Sequence, residues 1–266
     1  MPQQTNSARS YELLLIAVIA ARATSFIFSK MILESLAPFN LLAVRFIIAF
    51  VLLALIFNKA VRSLAARDLL AGTVIGTAFF ITMACEMIAL TQAASSLVSL
   101  LENCAIIFVP LLEILLYKKL PGKLTVISTG MAMLGVVLLA LGQGELSGGF
   151  TWGLAAGLCY AAAIIVTERL SHGSTATLGI GIVQVGTMGV LSFLAMLLTE
   201  TPQQPQSGSQ WLMLAMLIIV CTGFGFTLQP MAQSHVSAAR GIVLRRKPRH
   251  SSHFRRNCIG RTLRHA

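Results

Sequence analysis

Four ionisable side chains lie inside long apolar stretches of the sequence, where a charge is costly. They are Arg22, Arg45, Glu86 and Glu102. A charged group at bilayer depth costs about 2.5–3.5 kcal/mol on insertion scales, so these residues are functional candidates. Two positive and two negative groups at overlapping depth can neutralise one another in a polar cavity. The chemistry that they predict is proton exchange or the binding of a charged solute inside a membrane.

The fourth apolar stretch holds the most informative polar pattern. Ser95, Ser99 and Glu102 are spaced at i, i+4 and i+7, so they share one face of a helix. Asn103 flanks this face. Pro110 removes one backbone hydrogen bond and can kink the helix. A polar stripe with a proline break is what a helix that lines a hydrophilic path needs.

Several alternatives stay open for the polar residues. Arg45 serves equally as a structural partner of Glu102 and as a ligand for an anionic substrate. Glu86 is equally an interfacial residue. Ser95 and Ser99 are more often interhelical hydrogen-bonding groups than ligands. Glu113 lies near a helix end, where its side chain reaches the membrane surface. The predicted substrate-binding residues are Glu102, Asn103, Arg45, Glu86 and Ser99.

The composition requires that membrane helices carry these residues. Hydrophobic residues make up 56% of the 266 positions and charged residues only 11%, which excludes an ordinary soluble domain and a disordered chain. Backbone polar groups must be satisfied inside lipid, so the apolar segments are helices. Eight segments are long enough to cross a bilayer: 11–30, 38–57, 69–90, 93–117, 124–142, 151–169, 177–198 and 211–229.

Loop charges and glycines predict the orientation and packing of these helices. Basic residues precede the first segment and follow the second, fourth and sixth, at Arg9, Lys59, Arg62, Arg67, Lys118, Lys119, Lys123 and Arg169. The opposite loops carry Lys30 at a helix end and otherwise the acids Glu145 and Glu200. By the positive-inside rule, the N-terminus is cytoplasmic. The pairs Gly72/Gly76 and Gly153/Gly157 have the small-xxx-small spacing that predicts close helix packing.

Motifs of enzymes and metal sites are missing from the sequence. Asp68 is its only aspartate, which excludes a paired-aspartate intramembrane protease, and neither HExxH nor GxSxG occurs. The five cysteines match no metal or disulfide pattern. We therefore predict that the protein is not an enzyme and uses no metal or cofactor.

At four places the sequence resembles the EamA-type transporters of the drug/metabolite transporter superfamily. Thr24-Ser25-Phe26, with Lys30 four residues on, is similar to the end of that family's first helix, and Val44-Arg45-Phe46 to its Leu-Arg-Phe motif. The stretch Ala89–Leu116 is similar to its third and fourth helices, and Thr151–Leu170 to the start of its second repeat. The order and spacing of these motifs carry the resemblance.

The resemblance implies a ten-helix fold of two inverted five-helix repeats, of which this all-α polytopic membrane chain has eight. We predict a first repeat at 11–143, an incomplete second repeat at 151–240 and a basic cytoplasmic tail at 241–266. The implied function is secondary export or exchange of small metabolites across the bacterial inner membrane. The expected partners are a small-molecule substrate and the lipid bilayer, without nucleic acid, and the oligomeric state stays open.

The basic tail departs from the family pattern. Eight of the 20 basic residues follow Arg240, with no acid, so the rest of the chain carries only +3 of the net charge of +11. Arginine codons read one base later become codons for Gly, Ala, Val, Asp or Glu, so a frameshifted membrane helix becomes arginine-rich. Arg22 stands where the family usually has Trp. Two alternatives follow: an inactive truncated product, or a membrane protein whose tail binds anionic lipid or nucleic acid.

Overall fold

A computed structural model describes residues 24–117, 126–127, 129–131, 133–135, 148–171, 174 and 176–224. Helices dominate this part of the chain, and it contains no strand. Predictions about residues 11–23, most of 124–142 and the tail 241–266 lie outside the described residues. Arg22 is therefore outside the described residues as well.

Short helical stretches lie at 126–127, 129–131 and 133–135. The other α-helices and one π-helical segment follow one another in the part of the chain that the structure describes. They are α1 (Thr24–Leu33), α2 (Pro38–Ile56), α3 (Asn58–Arg62), α4 (Ala66–Gln92), α5 (Ser95–Asn103), α6 (Ala105–Tyr117), α7 (Gly148–Ser171), α8 (Thr177–Thr199), α9 (Gly208–Met216) and the π segment (Leu217–Phe224).

Five stretches have the length and composition of a membrane span. These are α2, α4, the pair α5 and α6 (Ser95–Leu116), α7 and α8. They coincide with five of the eight predicted segments. The described residues of two further predicted segments, 11–30 and 211–229, also lie in apolar helices, which are α1 and α9 with its π extension. The protein is therefore a multi-pass membrane protein.

Local sequence signals explain where several helices begin. Pro38 opens α2 at a position where its fixed φ suits the helix and its missing N–H costs nothing. At the start of α4, the Asp68 carboxylate accepts a hydrogen bond from the Ala65 N–H at 3.3 Å. Ser207 caps α9, because its hydroxyl accepts from the Gln210 N–H at 3.3 Å.

Glycines set the closest helix contacts. A Cβ atom on Gly76 would lie 2.7 Å from the Gln184 carbonyl oxygen, so α4 packs directly on α8. A Cβ atom on Gly157 would lie 2.5 Å from the Leu101 carbonyl oxygen, so α7 packs directly on α5. Close backbone approach at both glycine pairs is confirmed.

The helices before and after the gap at 136–147 interleave. Helix α4 packs against both α7 and α8, α2 packs against α8 and the π segment, and α5 and α6 pack against α7. Every one of these contacts joins the first half of the sequence to the second. The two halves therefore share one core.

Alternating helix directions give the bundle two ends. At one end, called the Glu200 face, α1, α4 and α8 finish and α2, α5, α7 and α9 begin. At the other end, called the Asp68 face, Ser174 Oγ donates to Asp68 Oδ1 at 3.2 Å and so joins the start of α4 to the α7–α8 connection. The depth of a residue in the bundle can be measured from either face.

Candidate functional site

Three of the predicted site residues are buried at one depth. Arg45 is 1% exposed, Glu86 2% and Glu102 1%. Arg45 and Glu102 each lie seven residues after the start of their helix, and Glu86 lies six residues before the end of its own. At 1.5 Å per residue, all three lie about 10 Å below the Glu200 face. We call these three residues the polar layer.

Arg45 is held by the π segment. Its Nε donates a hydrogen bond to Thr222 Oγ1 at 2.7 Å, and its Cζ lies 5.2 Å from the centre of the Phe46 ring. Thr222 is fully buried. π-Helical turns are rare and occur frequently at functional sites. This contact fixes the guanidinium between α2 and the second half of the chain.

Sequence reasoning missed Thr222 because it is a single hydroxyl in an apolar run. Its importance comes from the partner, which is 177 residues away in the sequence. The one local signal is the dipeptide Thr222-Gly223 inside segment eight.

The fourth predicted segment is interrupted directly after Glu102. Helix α5 ends at Asn103, Cys104 forms a turn, and α6 begins at Ala105, while Pro110 lies inside α6. Asn103 Nδ2 donates to the Ser99 carbonyl at 2.7 Å, and Cys104 Sγ donates to the Leu100 carbonyl at 3.4 Å. Such side-chain bonds compete with the helical ladder, which explains why the break precedes the proline.

The remaining predicted residues of this segment lie outside the polar layer. Asn103 is exposed, and its amide is bonded to its own helix. Ser99 is half-buried, and Glu113 is exposed on α6. The structure therefore brings Glu102, Arg45 and Glu86 to one depth and leaves Asn103 on the outside of the bundle.

Helix α7 packs against both helices that carry the buried carboxylates. Cys85, the neighbour of Glu86, faces Cys159 of α7. On the other side, the Glu102 carbonyl oxygen would lie 3.4 Å from a Cβ atom on Gly157 of the same helix. Glu86 and Glu102 therefore sit on helices that pack against one shared neighbour.

Two serines add hydrogen-bonding capacity near the same depth. Ser192 of α8 lies seven residues before the helix end, and Ser29 of α1 lies four residues before its own. Both are fully buried, and their hydroxyl oxygens have no hydrogen-bond partner among the described residues. Buried hydroxyls of this kind commonly bind water or a polar solute. Neither serine stands out in the sequence, because isolated serines are common in membrane helices.

Metal-ligating groups do not cluster in the part of the chain that the structure describes. No set of three or more His, Cys, Asp or Glu side chains is placed to hold an ion there. The arrangement instead offers carboxylates, a guanidinium and hydroxyls to a small solute.

Comparison with known proteins identifies the family and supports the fold. The EamA-like transporter family matches the chain twice in succession, over residues 9–141 and 147–246. No curated protein matches it by sequence. One solved structure, described only as the crystal structure of a protein, is 17% identical with a TM-score of 0.61, over 92% of this chain and 91% of that one. That likeness supports the fold alone. The chain therefore belongs to the EamA-like transporter family, whose members are membrane transporters of the drug/metabolite type.

Proposed function

We propose that the protein is a secondary transporter that exports or exchanges a small metabolite through the polar layer. The observation that carries this proposal is the burial of Arg45, Glu86 and Glu102, from three different helices, at one depth. When ionised, these groups together bear one excess negative charge. Such a site favours a proton or a solute with a cationic group, and Arg45 can bind an anionic part of the same solute.

The proposed orientation places the Glu200 face outside the cell. Lys59, Arg62 and Arg67 lie at or near the Asp68 face, beside the start of α4. Basic loop residues favour the cytoplasmic side, which supports a cytoplasmic N-terminus. The bacterial inner membrane is part of the same proposal. The polar layer then lies about 10 Å from the extracytoplasmic surface.

Metabolite efflux tests the proposal directly. Bacterial cells that make the protein are compared with cells that carry an empty vector, and the small molecules of the medium are measured by mass spectrometry. We expect at least one charged metabolite to accumulate outside the producing cells and to accumulate less when the proton gradient is dissipated. Media of identical composition would contradict the proposal.

The Thr222 contact gives a second prediction. Thr222→Val keeps the shape of the side chain but removes the oxygen that accepts from Arg45 Nε, so the guanidinium loses a buried partner. A lost partner of a buried charged group costs about 1–3 kcal/mol or more, so we expect efflux to fall about fivefold or more. Thr222→Ser retains the oxygen and is the matched control. Equal efflux in both variants would show that the hydrogen bond does not position Arg45 for transport.

The arginine-rich tail favours a second candidate, an inactive product of a shifted reading frame. The gene sequence after the codon of Arg240 tests this candidate. A shifted open frame that encodes two further apolar helices would support it, and the lack of such a frame would remove it.

A further inference from the structure

A carboxylate from the second half of the chain caps the first turn of α2. Glu200 follows directly after α8. Its Oε1 accepts from the Phe39 N–H at 3.0 Å and its Oε2 from the Asn40 N–H at 2.9 Å. The N-cap residue Ala37 supplies no side-chain cap of its own. The positive end of the α2 dipole is therefore satisfied by a residue 160 positions away.

Asn40 completes the connection from the α2 side. Its Nδ2 donates to Glu200 Oε2 at 2.8 Å and to the Thr201 carbonyl at 3.0 Å, and its Oδ1 accepts from the Gln203 N–H at 2.7 Å. The side chain is fully buried. All the hydrogen-bonding groups of this amide thus face one short segment after α8, and a separation of α2 from α8 at this face breaks every bond.

Three further hydrogen bonds hold the same end of the bundle. Lys30 Nζ donates to the carbonyl oxygens of Leu90 at 2.5 Å and of Ala93 at 3.1 Å, and so caps the C-terminus of α4. Gln210 Nε2 donates to Ser35 Oγ at 2.6 Å, which joins α9 to the α1–α2 connection. Helix ends at the Glu200 face are therefore joined in this structure by hydrogen bonds between distant segments.

Helix α2 connects the Glu200–Asn40 contact to the polar layer. Arg45 lies five residues after Asn40 on α2, a rise of about 7.5 Å. Displacement of the α2 start away from α8 thus moves Arg45 relative to Thr222. In alternating access, the path from a buried site must open to one face at a time, and opening requires contacts that break reversibly. Hydrogen bonds between two helix ends meet that requirement better than the glycine-mediated backbone packing deeper in the bundle.

We propose that Glu200 and Asn40 form a latch that shuts the polar layer off from the Glu200 face and releases once in every transport cycle. The inference rests on the proposed function, since a latch of this kind has a role only in a transporter. Glu200 and Asn40 act here as positioning residues: they touch α2 and hold the guanidinium of Arg45 in place through that helix.

Cys221 is a native reporter of the latch. It is 3% exposed, adjoins Thr222 and lies 4.0 Å from Thr24 Oγ1, so it sits beside Arg45 and α1. Cells that make the full chain are treated with a membrane-impermeant maleimide from outside, and labelling of Cys221 is quantified by peptide mass spectrometry. The variants are Asn40→Asp and Glu200→Gln, each nearly isosteric, their double variant, and Gln204→Ala as a control in the same loop.

We expect each single variant to raise the labelling rate of Cys221 about fivefold or more, as for the loss of hydrogen bonds of ordinary strength. In the double variant an aspartate at position 40 cannot donate to the Thr201 carbonyl, and the amide nitrogen of a glutamine at position 200 cannot accept from a backbone N–H, so the labelling rate stays raised. Gln204→Ala leaves the rate unchanged.

Two results would overturn the latch. One is labelling of both single variants at the unaltered rate while their size-exclusion profiles match that of the parent. The other is a double variant that labels at the unaltered rate. Labelling needs no substrate, so it is independent of the efflux experiment. The expected labelling pattern without metabolite efflux would reject the proposed function, but it would still show that α2 and α8 separate at the Glu200–Asn40 contact.

Discussion

Glu102→Gln is expected to reduce metabolite efflux by at least about tenfold, a rise of about 1.4 kcal/mol in the rate-limiting barrier. Glutamine has almost the same volume, so the fold is kept while the side chain loses the ability to take up and release a proton. Because Glu102 is 1% exposed, solvent cannot replace this function. The measurement is the initial rate of efflux per quantity of protein in the membrane.

Glu113→Gln is the matched control for this experiment. Glu113 belongs to the same predicted segment but is exposed on α6, outside the polar layer. Its replacement is expected to leave efflux within about twofold, as for exposed charges of small energetic weight. Normal efflux by Glu102→Gln, or equal losses in the two variants, would show that the buried carboxylate is not the transport group.

Gly157→Val is expected to destabilise the protein by about 1–3 kcal/mol or more, the usual cost of overpacking a close contact. The added Cβ would lie 2.5 Å from the Leu101 carbonyl and 3.4 Å from the Glu102 carbonyl. Backbone atoms cannot move aside as a flexible side chain can, so α5 and α7 must separate. The apparent melting temperature in detergent falls as a result, and efflux falls with it because Glu102 is displaced.

Gly130→Val provides the comparison, since a Cβ atom at Gly130 meets nothing within 4 Å in the described part of the chain. The same chemical change there is expected to leave the melting temperature almost unaltered. Equal destabilisation by both variants would mean that the effect comes from the loss of glycine itself and not from the α5–α7 contact.

The buried residues of the polar layer were accessible to sequence reasoning for a physical reason. A charge in an apolar run has to be sheltered from lipid, so Arg45 and Glu102 were expected inside the bundle, and Glu86 either there or at the membrane interface. The two glycine pairs likewise predicted close packing. Their partner helices were not predictable, because spacing along one helix does not say which other helix lies against it.

Contacts between distant segments account for what the sequence did not reveal. Thr222 and the Glu200 cap each depend on a partner more than 150 positions away, and no local pattern marks them. From the sequence alone, Glu200 was interpreted only as an acidic residue in an outer loop. The break after Asn103 was also missed, since the visible helix breaker, Pro110, is accommodated inside α6.

The interleaving of the two halves has a consequence for biosynthesis. Arg45 is bonded to a residue made 177 positions later, which at about 5–20 residues per second means a delay of about 10–35 s. During that interval the guanidinium of α2 is at bilayer depth without Thr222. Helix α2 is therefore expected to stay beside the insertion machinery until α8 and the π segment emerge. The first half of the protein would then enter the lipid only together with the second half.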